Sequence, residues 1–138
     1  MTINLDDRSM NALVAEALAM RSRAHAPYSR FQVGAALLST SGDMFAGCNI
    51  ENASFSLSVC AERVAAGSAV AGGHTHWTAI AVASRGGVTP CGACRQFLAE
   101  FGGDLLVLSV DAESKLVKRF HLSALLPDAF DATALPAR

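Results

Sequence analysis

The spacing of apolar residues changes along the chain, and these changes predict the first three elements. Over residues 6–23, apolar side chains recur at helical spacing and predict an amphipathic helix. Its apolar positions are Met10, Leu13, Val14, Ala17 and Leu18. Two short apolar runs follow, Gln32–Ser39 and Met44–Ile50, joined by a connection that contains Gly42. This pattern predicts an antiparallel hairpin.

The second half of the chain alternates helical and strand patterns. An Ala-rich helix is predicted over 59–71, ending at a pair of glycines. The unbroken apolar runs Thr78–Ser84 and Leu105–Val110 predict buried strands. Between them, Pro90 precedes a second predicted helix, Cys91–Phe101.

The last predicted strand completes an α/β fold. The link before Lys115–Leu122 is too short for a parallel crossover, so this strand should return antiparallel. A helical turn is predicted within 125–130. Together the elements predict a five-stranded mixed sheet with helices on its faces.

Composition narrows the partners that such a domain would have. Hydrophobic residues make up 51% of the 138 positions and charged residues 17%, a balance that favours self-association. The net charge is −1 with no basic stripe, so a nucleic-acid partner is not favoured and a small, nearly neutral ligand is. No apolar run reaches membrane-spanning length, and no signal-peptide pattern opens the sequence. We therefore expect a cytoplasmic protein without a membrane partner.

The strongest chemical signal is a pair of cysteine motifs, Cys60-Ala61-Glu62 and Pro90-Cys91-Gly92-Ala93-Cys94. Three thiolates can hold one zinc ion and leave its fourth tetrahedral position open, as in catalytic sites. Glu62 is close enough in sequence to serve that open position without being a ligand. A metal-activated water beside a carboxylate is suited to hydrolysis. The motifs therefore predict a catalytic zinc site.

Both cysteine motifs fall where helices are predicted to begin. The partial positive charge of a helix N-terminus stabilises thiolate over thiol. Three thiolates and one zinc ion still sum to −1, which weakens the acidification of bound water. Arg63, next to Glu62, could donate hydrogen bonds to a ligand sulfur and restore some Lewis acidity. This role of Arg63 is a hypothesis.

Other interpretations use the same cysteines differently. Cys91 and Cys94 alone would suit a thioredoxin-like redox site, although the preceding proline and a third cysteine argue against it. A second alternative is a closed structural site with four cysteines, completed by Cys48, but the segment of Cys48 is predicted to be a strand. A non-catalytic, zinc-stabilised assembly module would need the cysteines and would have no use for Glu62.

At these residues the sequence resembles cytidine deaminases of the small, tetrameric, three-cysteine type, over nearly the whole chain. The segments that carry the resemblance are Pro27–Phe31, Val33–Ala36, Gly47–Ala53, Cys60–Arg63, Pro90–Gln96 and Leu125–Pro127. The resemblance implies a single catalytic domain over residues 1–138 with a three-layer fold, helices covering both faces of the sheet. It also implies a homotetramer whose active sites are shared between subunits.

The reaction implied by the resemblance is hydrolytic deamination of cytidine and 2′-deoxycytidine in pyrimidine salvage. One Zn²⁺ per chain, held by Cys60, Cys91 and Cys94, would activate the water that adds to C4 of the base. Glu62 would shuttle protons from that water to ring N3 and to the departing ammonia. The nucleoside would be the small-molecule partner.

The resemblance also implies a set of substrate contacts. Asn49 and Glu51 would hold the ribose 3′-hydroxyl, and two residues two apart in an extended segment do point the same way. Phe31 would pack on the pyrimidine, and backbone groups around Ala61 and Cys91 would read its edge. The remaining implied contacts, made in a neighbouring subunit's site, are Ala53 N–H and Phe130. From the residues alone, an ordinary turn after a strand is the preferred interpretation of Asn49 and Glu51. Plain core packing is nearly as well supported for Phe31 as contact with substrate.

One position departs from the family pattern, which commonly has tyrosine where this chain has Phe55. The missing hydroxyl bears on how the 5′ side of the nucleoside is held. A related zinc deaminase acting on another aminopyrimidine, such as blasticidin S, is the nearest alternative function. The Asn49/Glu51 pair favours cytidine over that alternative.

Overall fold

A mixed five-stranded sheet forms the centre of the computed structural model, which describes residues 5–137. Its strands are β1 (Gly34–Ser39), β2 (Met44–Cys48), β3 (Trp77–Ser84), β4 (Leu106–Asp111) and β5 (Val117–His121). They lie in the order β2-β1-β3-β4-β5. Only β3 and β4 pair in parallel; the other neighbours are antiparallel. The mixed sheet predicted from the sequence is confirmed.

Within residues 5–137, four α-helices accompany the sheet. They are α1 (Asp7–Met20), α2 (Ala61–Ala71), α3 (Gly92–Gly102) and α4 (Leu122–Leu125). The Asp6 carboxylate caps α1 by accepting a 2.7 Å hydrogen bond from Ser9 N–H. None of the helices in the described part of the chain combines the length and the apolar character needed to cross a bilayer.

The C-terminal helical turn begins earlier than the 125–130 segment in which it was predicted. It forms at Leu122–Leu125, directly after β5, and the chain is irregular until a 3₁₀ turn at Ala132–Ala134. Leu122 is buried, and its N–H donates a 2.9 Å hydrogen bond to Leu105 O. Tertiary contact at Leu122 therefore sets the start of the turn, which local periodicity could not indicate.

Side-chain alternation along the strands gives the sheet two apolar faces. On one face Ala36, Ala81 and Leu108 pack with Leu13 and Ala17 of α1. The other face packs against α2 and α3, with Ala65 and Leu98 among the buried helical residues. Because residues of a strand point alternately to opposite faces, β3 contributes to both layers of the core. Helices on both faces, and hence three layers, are confirmed.

Glycine lets α2 approach the sheet at backbone distance. A Cβ built on Gly47 would lie 2.5 Å from Ala65 N and 2.7 Å from Ala61 O, well inside van der Waals contact. The first turns of α2 therefore rest directly on the end of β2. This contact fixes the position of Cys60, the residue that caps α2.

Gly47→Ala should destabilise the fold by about 3 kcal/mol, because the added methyl group meets helix backbone that cannot move aside cheaply. Chemical denaturation followed by circular dichroism would measure the change in the free energy of unfolding. Gly67→Ala is the matched control, since it lies on the exposed face of α2 with no atom within 4 Å of the added Cβ. This control should gain about 0.5–1 kcal/mol from helix propensity. Equal effects of the two substitutions would contradict the close-approach argument.

Candidate metal centre and substrate cavity

Three cysteine sulfurs converge where two helices begin. Cys60 is the N-cap of α2, Cys91 is the N-cap of α3, and Cys94 lies in the first turn of α3. Their Sγ atoms all lie within 4.8 Å of one another, and those of Cys60 and Cys91 are 3.9 Å apart. All three cysteines are free. The two sequence motifs are thus brought to one point.

The spacing of these sulfurs fits a zinc ion. With Zn–S bonds of about 2.3 Å, tetrahedral geometry separates ligand sulfurs by about 3.8 Å. The fourth cysteine of the chain, Cys48, lies in β2 and does not belong to the cluster found among residues 5–137. Three protein sulfurs leave one tetrahedral position open, so the donor set is that of a catalytic zinc site rather than a closed structural one.

The cluster favours a thiolate at Cys60. A hydrogen bond from the Cys94 thiol, together with the nearby Arg63 guanidinium, lowers the pKa of Cys60 to about 5. That same hydrogen bond and burial raise the pKa of Cys94. Arg63 Nη2 lies 3.9 Å from Cys60 Sγ, the contact hypothesised from the sequence. A ready thiolate on one ligand is the form in which cysteine binds a metal.

Glu62 is buried beside the cluster, in the first turn of α2. Only 4% of its surface is exposed, and this burial raises the pKa of its carboxyl group. An exposed first-turn glutamate would instead be solvated and interact with the helix dipole. A buried carboxyl group with a perturbed pKa in a cavity is a typical feature of acid–base chemistry.

A cavity of about 280 Å³ opens next to Cys60, Cys91 and Glu62. Four more residues expected from the sequence to contact substrate line it: Phe31, Asn49, Glu51 and Ala61. The lining also includes residues that were not expected: Ser29, Val33, Val82, Val88 and Thr89. Val88 and Thr89 stand directly before the Pro90-Cys91 motif, a position that could have indicated them. Val82 lies on the central strand β3, and no feature of its apolar run distinguishes it from core residues.

Asn49 holds the chain segment that carries Phe31. Its Oδ1 accepts a 2.9 Å hydrogen bond from Val33 N–H, and its Nδ2 donates a 2.8 Å hydrogen bond to Phe31 O. The side-chain amide of Asn49 thus adds two hydrogen bonds to the backbone just before β1. Phe31 is thereby held at the cavity wall, so Asn49 has a structural role at the place where it was expected to bind substrate.

Glu51 anchors the preceding turn in a similar way. Its Oε1 accepts hydrogen bonds from Tyr28 N–H at 2.9 Å and Ser29 N–H at 3.1 Å, and its Oε2 accepts one from the Ser29 hydroxyl. The bonds from Ser29 lower the pKa of Glu51, so the carboxylate is ionised at neutral pH. Asn49 and Glu51 together fix one rim of the cavity.

Two expected substrate contacts lie outside this cavity. Ala53 is exposed, and Phe130 is 62% exposed near the end of the chain, where its carbonyl oxygen accepts a 3.0 Å hydrogen bond from Gln96 Nε2. Neither lines the cavity of its own chain. Their expected role concerned a neighbouring subunit's site.

The sequence of residues 7–110 matches a family model described as the cytidine and deoxycytidylate deaminase zinc-binding region. The chain belongs to this family. A cytidine deaminase from Halalkalibacterium halodurans is 46% identical over 129 residues, which cover 91% of this chain and 96% of the relative. A crystal structure of cytidine deaminase from Burkholderia pseudomallei superposes with a TM-score of 0.83 at 46% identity, covering 87% of this chain and 98% of that one.

One further relative bears on the alternative function. A blasticidin-S deaminase from Bacillus cereus is 34% identical over 100 residues, which cover 65% of this chain and 71% of the relative. Its match is shorter and weaker than those of the two cytidine deaminases.

Cys94→Ala should abolish stoichiometric zinc binding, because Cys94 is the buried member of the cluster and its loss leaves only two sulfur ligands. Metal analysis of the purified protein should give one zinc per chain for the parent and close to none for the variant. Cys48→Ala is the control, since it removes a cysteine outside the cluster and should keep the zinc. Full zinc content in Cys94→Ala would contradict the three-sulfur site.

Proposed function

We propose that this chain catalyses zinc-dependent hydrolytic deamination of cytidine and 2′-deoxycytidine to uridine and 2′-deoxyuridine, releasing ammonia. One observation carries the proposal: three sulfurs with zinc spacing and a buried carboxyl group face one cavity. The family membership and the cytidine deaminases that resemble the chain support the same reaction. The setting we infer is pyrimidine salvage in the cytoplasm.

Cys60, Cys91 and Cys94 would hold the zinc ion beside the cavity that Cys60 and Cys91 line. Zinc supplies Lewis acidity that makes a water nucleophilic near neutral pH. Glu62 would take a proton from that water and deliver it to ring N3 of cytosine. It would later carry the proton of the hydroxyl group added at C4 to the amino group, so that the C4–N bond breaks and ammonia leaves. The near-complete burial of Glu62 keeps these transfers away from bulk solvent. A single carboxylate within hydrogen-bond reach of each site can serve all of them.

Asn49 and Glu51 keep hydrogen-bonding capacity for the ribose 3′-hydroxyl. Asn49 Nδ2 has two N–H donors, and one of them is used on Phe31 O. Glu51 accepts three hydrogen bonds from Tyr28 and Ser29, and a carboxylate offers about four lone-pair sites. One donor and one acceptor therefore remain, which together match a hydroxyl group.

The base would be held by apolar and backbone groups. Phe31 stands at the cavity wall and would pack on the pyrimidine face, while backbone groups of Ala61 and Cys91 would read its polar edge. The cavity of about 280 Å³ is close to the lower end of the size range for small-ligand pockets.

Exposed aromatic residues support assembly into a homotetramer with shared sites. Phe55 is 71% exposed and contacts Tyr28 edge to face with ring centroids 5.5 Å apart. Tyr28 and Phe55 line a cavity with Ser29 and Glu51, and these last two residues also line the substrate cavity. An apolar surface continuous with a site is suited to a partner subunit. In that assembly Ala53 N–H and Phe130 would reach a neighbouring site.

Glu62→Gln should keep one zinc per chain and lower kcat for cytidine by about 10²–10⁴-fold, because an amide cannot shuttle protons. Loss of cytidine absorbance and release of ammonia would measure turnover, and metal analysis would measure zinc. Glu100→Gln, an exposed position on α3, should behave like the parent. Turnover of Glu62→Gln within a few-fold of the parent would show that another group moves the protons. If the parent protein deaminated blasticidin S in preference to cytidine, that result would favour the alternative substrate.

Glu51→Gln should lower kcat/KM for cytidine by about 10- to 100-fold, the value of a hydrogen bond to a charged group. The same substitution should cost much less with 2′,3′-dideoxycytidine, which has no 3′-hydroxyl. Steady-state kinetics with both nucleosides separate the two roles of Glu51. An equal loss for both substrates would mean that Glu51 acts only by anchoring Tyr28 and Ser29.

A further inference from the structure

The Arg95 guanidinium makes three short hydrogen bonds, each from a different nitrogen. Nε donates to Pro90 O at 2.7 Å, Nη1 donates to Leu125 O at 2.7 Å, and Nη2 donates to Thr89 Oγ1 at 2.9 Å. We call this set of three bonds the Arg95 clamp. It joins the loop before α3 to the end of α4.

The Arg95 clamp uses the shape of the guanidinium rather than its charge. Among the described residues, no carboxylate forms an ion pair with Arg95. All three acceptors are neutral oxygens, and two of them are backbone carbonyls. A planar fork with five donors can reach three separated acceptors at once, whereas a lysine ammonium on a flexible stem cannot hold the same geometry. This position therefore requires arginine specifically.

Two of the clamped atoms belong to the residues that lead into the metal cluster. The Pro90 carbonyl is part of the peptide bond to Cys91, and Pro90 itself is fully buried. Because a peptide unit is planar, fixing the direction of Pro90 O also fixes where the Cys91 Cα lies. Thr89, the other residue, lines the substrate cavity.

The third clamped atom belongs to the C-terminal segment. Leu125 is the last residue of α4, where carbonyl groups have no partner within the helix. Gln96, next along α3, adds a second tie through its 3.0 Å hydrogen bond to Phe130 O. Successive side chains of α3 thus hold both ends of the 125–130 segment.

We propose that Arg95 is a positioning residue for the metal centre, setting the direction of the Cys91 ligand and tying it to the C-terminal segment. This inference rests on the proposed function only in taking Cys91 as a zinc ligand. Arg95 neither lines the substrate cavity nor belongs to the sulfur cluster, and it acts through its hydrogen bonds to Pro90, Thr89 and Leu125.

Arg95→Lys, which keeps the charge and removes the fork, should release zinc to a chromophoric chelator about tenfold faster than the parent. Cobalt(II) substituted for zinc should show altered thiolate-to-cobalt and d–d absorption, because the ligand geometry changes. Arg85→Lys is the control, because it makes the same substitution at an exposed arginine that pairs with Glu113. It should release zinc at the rate of the parent. Gln96→Ala removes the hydrogen bond to Phe130 O and keeps the three bonds of Arg95, so it should leave the rate of zinc release unchanged.

Hydrogen exchange in the zinc-free protein tests the clamp independently of metal. Arg95→Lys should speed exchange in residues 85–95 and 122–137, with the sheet unaffected. Thr89→Val removes one bond of the Arg95 clamp and should speed zinc release about threefold. This variant provides the test if Arg95→Lys fails to fold. Parent-like zinc release, cobalt spectrum and exchange in both variants would overturn the proposal. Failure of the parent to deaminate cytidine while still binding zinc would overturn the proposed function alone, and a parent that binds no zinc would overturn both.

Discussion

The meeting of two helix N-termini is the constraint on which the rest of this structure depends. Cys60 and Cys91 cap α2 and α3, so their sulfurs lie where unpaired N–H groups and the helix dipoles favour negative charge. Three cysteine ligands would otherwise repel one another when ionised. The sheet brings the two helix starts together: α3 follows the end of β3, and Gly47 lets α2 rest on β2 at backbone distance. Packing of the sheet is thus what makes the cluster possible.

At the rim of the cavity, two polar side chains hold the backbone and also face the cavity. Asn49 and Glu51 use part of their hydrogen-bonding capacity on the segment that contains Ser29 and Phe31, and they retain part for a ligand. A residue that both shapes a cavity and faces it is held in place before substrate arrives, which lowers the ordering cost of binding. The turn and the ligand site at this segment are therefore compatible interpretations, because the observed structural role would prepare the proposed binding role.

Much of this architecture could be predicted from the sequence, and the omissions have physical causes. Unbroken apolar runs indicated β3 and β4, and the cysteine spacing indicated the cluster, because both signals are local. The start of α4 was misplaced since it depends on burial of Leu122 against Leu105, a contact across the fold. Val82 was not recognised as a cavity residue because an apolar side chain in a central strand looks the same whether it faces core or ligand. Arg95 belonged to a recognised motif, but its acceptor at Leu125 lies thirty residues away.

Because Arg95 reaches the carbonyl group of Leu125, α3 contacts two separate parts of the structure. Its first turn supplies Cys91 and Cys94 to the metal centre, and the next side chains, Arg95 and Gln96, hold the segment that ends at Phe130. In the proposed tetramer Phe130 reaches the site of a neighbouring subunit. Displacement of α3 in one subunit would then disturb its own ligand geometry and a substrate contact in the next. In the proposed tetramer, a rigid helix shared by both features would couple assembly to the geometry of the metal site.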